Sequence, residues 1–245
     1  MRVVAIFLAI GVILLTSSFK PVPAQTKISI VIDPGHGGSD PGHLSENSNH
    51  LPEKTINLSI AKKVGAYLEK YLKNVQVVYT RTDDTFPSLD DRVAKANSSG
   101  ADYFVSVHCN ANARKTVSGT ESHVHTFKSK YSVNLAKEFE KEFSTRAGRK
   151  SRGVKDGNDR NHSIQVLKYT KMTSVLVECG FLTNEKEANF LNADYGQDIL
   201  ASAIFLRLFA CVISEVTIPV GTAIIIVAAV KYARVSISNP TVYIW

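Results

Sequence analysis

The sequence predicts an α/β fold: a mostly parallel, twisted sheet with helices on both faces. Two observations carry this expectation. Short runs rich in Val and Ile alternate along the chain with segments of helical period, and polar residues of chemical interest stand just after the strand-like runs.

Taken in order, Lys27 to Asp33 places Ile28, Ile30 and Ile32 at alternate positions with Val31 between them, the pattern of a strand buried on both faces. It runs into IVIDPGHGGSDPGH, where Pro34 ends the strand and glycines surround His36. From 53 to 73 the period changes: Ile56, Ile60, Val64, Tyr67, Leu68 and Tyr71 recur at three and four, and Pro52 stands at the helix start. Val75 to Thr80 is a second strand, and Ser88-Leu89-Asp90-Asp91 opens a capped helix to about Asn97. Asp102 to His108 is a third strand. Thr120 to Phe127 reads as a strand with an exposed polar face, Ser132 to Ala147 as a helix, and Gly148 to Asn161 as a mobile loop. Met172 to Glu178 is a further strand, Asn184 caps a helix to Leu191, and Gln197 to Ser214 is a long apolar helix.

The chain has 245 residues, enough for one ordinary domain with appendages. Residues 1 to 24 combine Arg2, the apolar stretch Val3 to Leu15 and the small-residue approach Val22-Pro23-Ala24, which together read as a secretory signal. The 13-residue apolar core is shorter than the roughly 20 residues needed to span a bilayer. Export to the periplasm or the cell exterior is therefore expected, with a catalytic domain over 25–215. Cleavage would remove two basic residues, Arg2 and Lys20, and no acid, so the formal net charge falls from +7 to +5. A basic exported chain suits acidic envelope polymers, and no basic-aromatic motif points to nucleic acid. Residues 216–245 form an apolar extension of unassigned role, too short and too interrupted by Pro219 and Gly221 for a span, and read as extra strands ahead of an interfacial segment. Three cysteines, Cys109, Cys179 and Cys211, are too few for a disulfide framework, and buried inert thiols are expected.

In a parallel sheet the loops at the carboxyl ends of the strands converge on one crevice. His36, His108 and Glu178 all occupy such places, and Glu53 opens the first helix beside them. Two histidines and a carboxylate, His36, Glu53 and His108, form the ligand set of a catalytic zinc site with an open fourth position. Such a site polarises a substrate oxygen and lowers the pKa of water to about 7. A second carboxylate must then move protons, and Glu178 is placed for it. Each residue has an ordinary structural explanation alone; four coinciding at strand and helix ends do not. A phosphate cradle is excluded, since no Gly-Lys-Ser/Thr follows the glycines.

Five motifs in order, VIDPGHGGSDPG, EKTINLSIAKKVGAYLE, VVYTRTDDTFPSLDDRVAKAN, ADYFVSVHCNA and VLVECGFLTNEKEANFL, resemble the zinc-dependent N-acetylmuramoyl-L-alanine amidases of the amidase type 3 family. The resemblance covers roughly Lys27 to Ser214. It implies a phosphorylase/hydrolase-like fold, one Zn2+ per chain, and cleavage of the amide joining the lactyl group of N-acetylmuramic acid in peptidoglycan to L-alanine of the stem peptide. By motif position it implies zinc on His36, Glu53 and His108 and catalysis by Glu178. Asn110 is a further candidate for orienting substrate, although a turn role serves it equally well. HLSENSNHLP adds His43, Glu46 and His50 as rival ligands; Glu53 is preferred because Lys54 to Leu58 continue the family pattern. Cys109 and Cys179, each one residue beyond a site residue, should point to the opposite face of the sheet. The interval from His108 to Glu178 leaves little room for the long inhibitory helix that some members of the family insert, so no built-in plug is expected. A monomer with an unidentified activator is expected. The rival functions are a zinc peptidase or carboxypeptidase on the stem peptide, and a peptidoglycan-binding protein that does not cut.

Overall fold

The computed structural model describes residues 27–215. The signal-like segment 1–24 and the apolar extension 216–245 lie outside the described residues. Six strands form one sheet: β1 (Ile28–Pro34), β2 (Val75–Tyr79), β3 (Tyr103–Asn110), β4 (Thr120–His123), β5 (Ser151–Lys155) and β6 (Thr173–Phe181), in the order β2-β1-β3-β6-β4-β5. The pairs β1–β2, β1–β3, β3–β6 and β4–β5 are parallel, and β4 runs antiparallel to β6. The sheet is thus mostly parallel, as its Val- and Ile-rich strands require.

Among the described residues seven helices surround it: α1 (Glu53–Tyr71), α2 (Leu89–Ser98), α3 (Lys130–Thr145), α4 (Gly157–Arg160), α5 (Gln165–Tyr169), α6 (Glu185–Asn192) and α7 (Asp194–Glu215). One face of the sheet presents Ile30, Ile32, Val105, Val107, Val175 and Val177 to α1, α3 and α7. The other presents Val31, Phe104 and Leu176 to α2 and α5. The two-residue repeat sorts these side chains, which is why β1 is apolar at every position from Ile30 to Ile32. Ser88 caps α2 through a capping box with Asp91, and Asn184 caps α6. Helix α7 is apolar enough to cross a bilayer by composition, yet most of it is buried, with Leu200, Ile204 and Leu208 fully inside the core.

Three expectations are corrected. Gly148 to Asn161 is not simply a loop, because it contains β5 and α4. The sequence SRGVK has no apolar alternation, and its extended form comes from pairing with β4, with Gly153 at φ 81°. The strand beginning at Thr120 ends at His123 rather than Phe127, and its polar face is covered. Thr120 and Ser122 are buried because Glu140 of α3 accepts their hydroxyl hydrogen bonds at 3.1 and 2.8 Å. A short helix, α5, also forms where none was expected.

Candidate metal centre

The carboxyl ends of β1, β3 and β6 build the site. The strand register aligns His108 with Glu178, and Glu178 with Glu121 of β4, so these three side chains form a row on the α2/α5 face. Cys109 and Cys179 lie in the core of the opposite face, as free thiols. Burial, with neighbouring acidic groups, raises the pKa of both. Cys109 serves the site through its backbone N–H, which donates to Glu53.

His36 sits in the left-handed region at φ 60°, which a non-glycine residue adopts only where surrounding contacts hold it. Those contacts are visible. Arg92 donates to the carbonyls of Pro34 and His36, both at 2.7 Å, and Arg81 donates to those of Pro34 and Gly35 at 3.0 and 2.8 Å. Arg92 is anchored by Asp33 at 2.7 Å; both are buried, and Thr80 and Ser106 also donate to that carboxylate at 2.6 Å. Gly35 leaves room for His108, since a Cβ there would lie 2.2 Å from the imidazole.

Glu53 is fully buried at the first turn of α1. Its Oε1 lies 3.1 Å from His36 Nε2 and 3.1 Å from His108 Nδ1. Backbone N–H groups of Cys109 and His43 donate to its two oxygens at 3.0 and 2.8 Å. Burial opposes the charge, but hydrogen bonds from His108 and His36 overcome it and hold the pKa well below the carboxylate range. For His36, burial likewise works against the protonated form, and contacts to Glu53 and Asp40 outweigh it to raise the pKa. The three ligand atoms lie within 4.8 Å of one another. Two imidazole nitrogens and a carboxylate oxygen aimed at one point are a fitting donor set for zinc, and they would hold it there.

Glu178 is not within this cluster. It lines the same cavity, of about 460 Å³, and its Oε2 is buried without a hydrogen-bond partner. Burial, then the charges of Glu53 and Glu121, raise its pKa well above the ordinary carboxylate value, against the lowering effect of Arg160. Asn110 also reaches the cavity, but its side-chain N–H donates to Glu121 at 2.8 Å.

The rival ligands separate clearly. Glu46 pairs with Lys115, and His50 bonds Ser45 and Asn189. His43 stands at the cavity edge, outside the three-residue group, and contributes its backbone to Glu53. Sequence reasoning passed over Asp40, Arg81 and Arg92. The signal for Arg92 was its place four residues before Ala96 on the buried stripe of α2. Asp40 carried no such signal.

An α/β fold with two histidines and a carboxylate gathered at the strand ends, and a further carboxylate in the same cavity, is the arrangement that metal-dependent hydrolases use. The family profile described as Amidase_3: N-acetylmuramoyl-L-alanine amidase matches residues 30–208, and the chain belongs to that family. It is similar to the N-acetylmuramoyl-L-alanine amidase LytC of Bacillus subtilis, 40% identical over 186 residues that cover 76% of this chain and 35% of LytC. The chain therefore spans about a third of the length of that relative. Among solved structures, it is similar to the N-acetylmuramoyl-L-alanine amidase of Clostridium difficile 630, with TM-score 0.72 and 37% identity over 78% of this chain and 99% of that one. It is also similar to the CwlD amidase of Clostridioides difficile, solved in complex with the GerS lipoprotein, with TM-score 0.68 and 30% identity over 77% of this chain and 99% of that one.

Proposed function

We propose that this chain is an exported, zinc-dependent N-acetylmuramoyl-L-alanine amidase acting on peptidoglycan. It hydrolyses the amide between the lactyl group of N-acetylmuramic acid and L-alanine of the stem peptide. The observation that carries this reading is the meeting of His36, Glu53 and His108 within 4.8 Å in a cavity that Glu178 also lines. Family membership supplies the bond, and the free carboxylate favours cutting over mere binding.

His36, Glu53 and His108 would hold zinc, which would supply a Lewis acid to polarise the amide carbonyl and lower the pKa of water. Glu178, whose Oε2 has no competing partner, takes a proton from the attacking water. It returns that proton to the nitrogen as the C–N bond breaks, leaving a lactyl carboxylate and a free L-alanine amine. The raised pKa of Glu178 suits a group that must carry the proton between these steps. Residues 1–24 support export, and the cell-wall relatives support action in the envelope. The CwlD complex supports a protein partner for this chain also.

Digestion of purified peptidoglycan with the zinc-supplied protein tests the reading. Free peptides beginning with L-alanine and an intact glycan are expected. Peptides shortened while still attached to sugar would instead make the chain a peptidase, and no release would make it a binding protein.

A further inference from the structure

Three apolar side chains line part of the cavity. Phe86 and Leu89 line it beside Ile164, yet Phe86 is 51% and Leu89 50% exposed. Exposed apolar side chains scattered singly need no explanation, but a cluster fixed at the mouth of a site does.

Phe86 is held in place by the loop that carries His36. The Gly38 N–H donates to Asp84 at 2.9 Å, and Lys54 bridges Asp84 and the Gly38 carbonyl at 2.7 and 2.8 Å. Arg81 donates to the Asp83 carbonyl at 2.8 Å. The two loops touch so closely that a Cβ on Gly38 would sit 3.0 Å from Phe86 Cβ, and one on Gly37 would sit 2.0 Å from the Thr85 carbonyl oxygen. On the far side of the cluster, Gln165 donates to Asp90 at 2.6 Å, tying the neighbours of Ile164 and Leu89 together. An aromatic ring whose backbone is pinned this way is preorganised, so little ordering remains to be done on binding.

We propose that Phe86, Leu89 and Ile164 form the subsite for the N-acetylmuramic acid ring, with Phe86 stacked on its C–H face. The inference rests on the amidase reading, and it adds the direction in which substrate lies. The sheet order places β2, which leads into Phe86 and Leu89, at one edge, and β5 at the other. Toward that second edge the polar row continues from Glu178 to Glu121, which accepts from Arg152 of β5 at 2.9 Å. The two halves of the substrate differ in the same sense. A pyranose ring is uncharged and presents C–H groups that suit the negative face of a phenyl ring, whereas the stem peptide carries carboxylates and amines. The apolar lining at Phe86, Leu89 and Ile164 therefore suits the sugar, and the polar lining that includes Asn110 suits the peptide.

The test is calorimetric titration of the zinc-loaded full chain with peptide-free N-acetylglucosaminyl-N-acetylmuramic acid, and separately with the free L-alanine stem peptide. Phe86→Ala should weaken disaccharide binding at least tenfold and leave peptide binding within twofold, while Phe86→Tyr retains both. Zinc content and melting temperature are measured alongside. Unchanged disaccharide affinity in Phe86→Ala overturns the subsite, as does equal weakening of both ligands, which would mark Phe86 as support for the His36 loop. Failure of the amidase reading shows separately: wild type would release no L-alanine peptide from peptidoglycan, yet disaccharide binding would still depend on Phe86.

Discussion

His36 and Asp40 are joined by a 2.7 Å hydrogen bond from the imidazole Nδ1 to the carboxylate Oδ2. The same carboxylate accepts the Gly42 N–H at 3.0 Å, so it spans the turn that delivers the histidine. With Nδ1 held as donor to Asp40, Nε2 is the ring nitrogen that would turn its lone pair to a metal once its own proton, now shared with Glu53, has left. Asp40 thus sets both ring orientation and tautomer. Asp40→Ala should lower zinc affinity about 10- to 100-fold, as loss of such outer partners does elsewhere. Competition titration against a chelator measures this, and unaltered affinity would remove Asp40 from the account.

The roles of the ligands and of Glu178 separate by metal content. His108→Ala should lose zinc. Glu178→Gln should keep about one zinc per chain while kcat falls by roughly 10²- to 10⁴-fold, the scale of general acid–base catalysis. Elemental analysis with single-turnover kinetics on both variants decides it; zinc loss in Glu178→Gln contradicts the assignment.

The buried pair Asp33–Arg92 supports the His36 loop and makes a prediction about stability. Arg92→Leu leaves Asp33 buried without its cation and should cost about 3–5 kcal/mol. Burial alone would raise the pKa of Asp33, but Arg92, Ser106 and Thr80 lower it below the ordinary 3.8. A carboxyl with a depressed folded pKa contributes stability above the unfolded value, and that contribution fades as pH falls through the folded one. In the variant the unpaired carboxyl prefers to be neutral, so acid relieves it. The gap in urea midpoint between wild type and Arg92→Leu should therefore be wide at pH 7 and narrower at pH 3. A constant gap would mean that the pair is not the source.

Gly35 is a test of space rather than charge, because its φ is not in the left-handed region and a methyl would meet the His108 ring. Gly35→Ala should cost about 1–3 kcal/mol through overpacking and weaken zinc binding by displacing His108. Thermal melts with and without zinc check this: the zinc-induced rise in melting temperature should shrink in the variant. An undiminished rise would show that the ring relocates freely.

Much of this protein is written locally. The alternation of Ile28, Ile30 and Ile32 makes β1 a strand by itself, and the Ser88–Asp91 box starts α2 without help from the rest of the chain. Strand ends could be read too, which is how His36, His108 and Glu178 were singled out, and the family motifs chose Glu53 from its rivals. Other features have no local signature. β5 is extended because β4 offers it a ladder, and the polar face of β4 is buried because Glu140 reaches it from α3. Asp40 looks like an ordinary surface charge until the fold sets it against His36. Most elements and the candidate ligands are legible from short stretches, since periodicity and capping act within a few residues. That His36, Glu53 and His108 meet while His43, Glu46 and His50 do not depends instead on strand order and register between segments far apart in the chain.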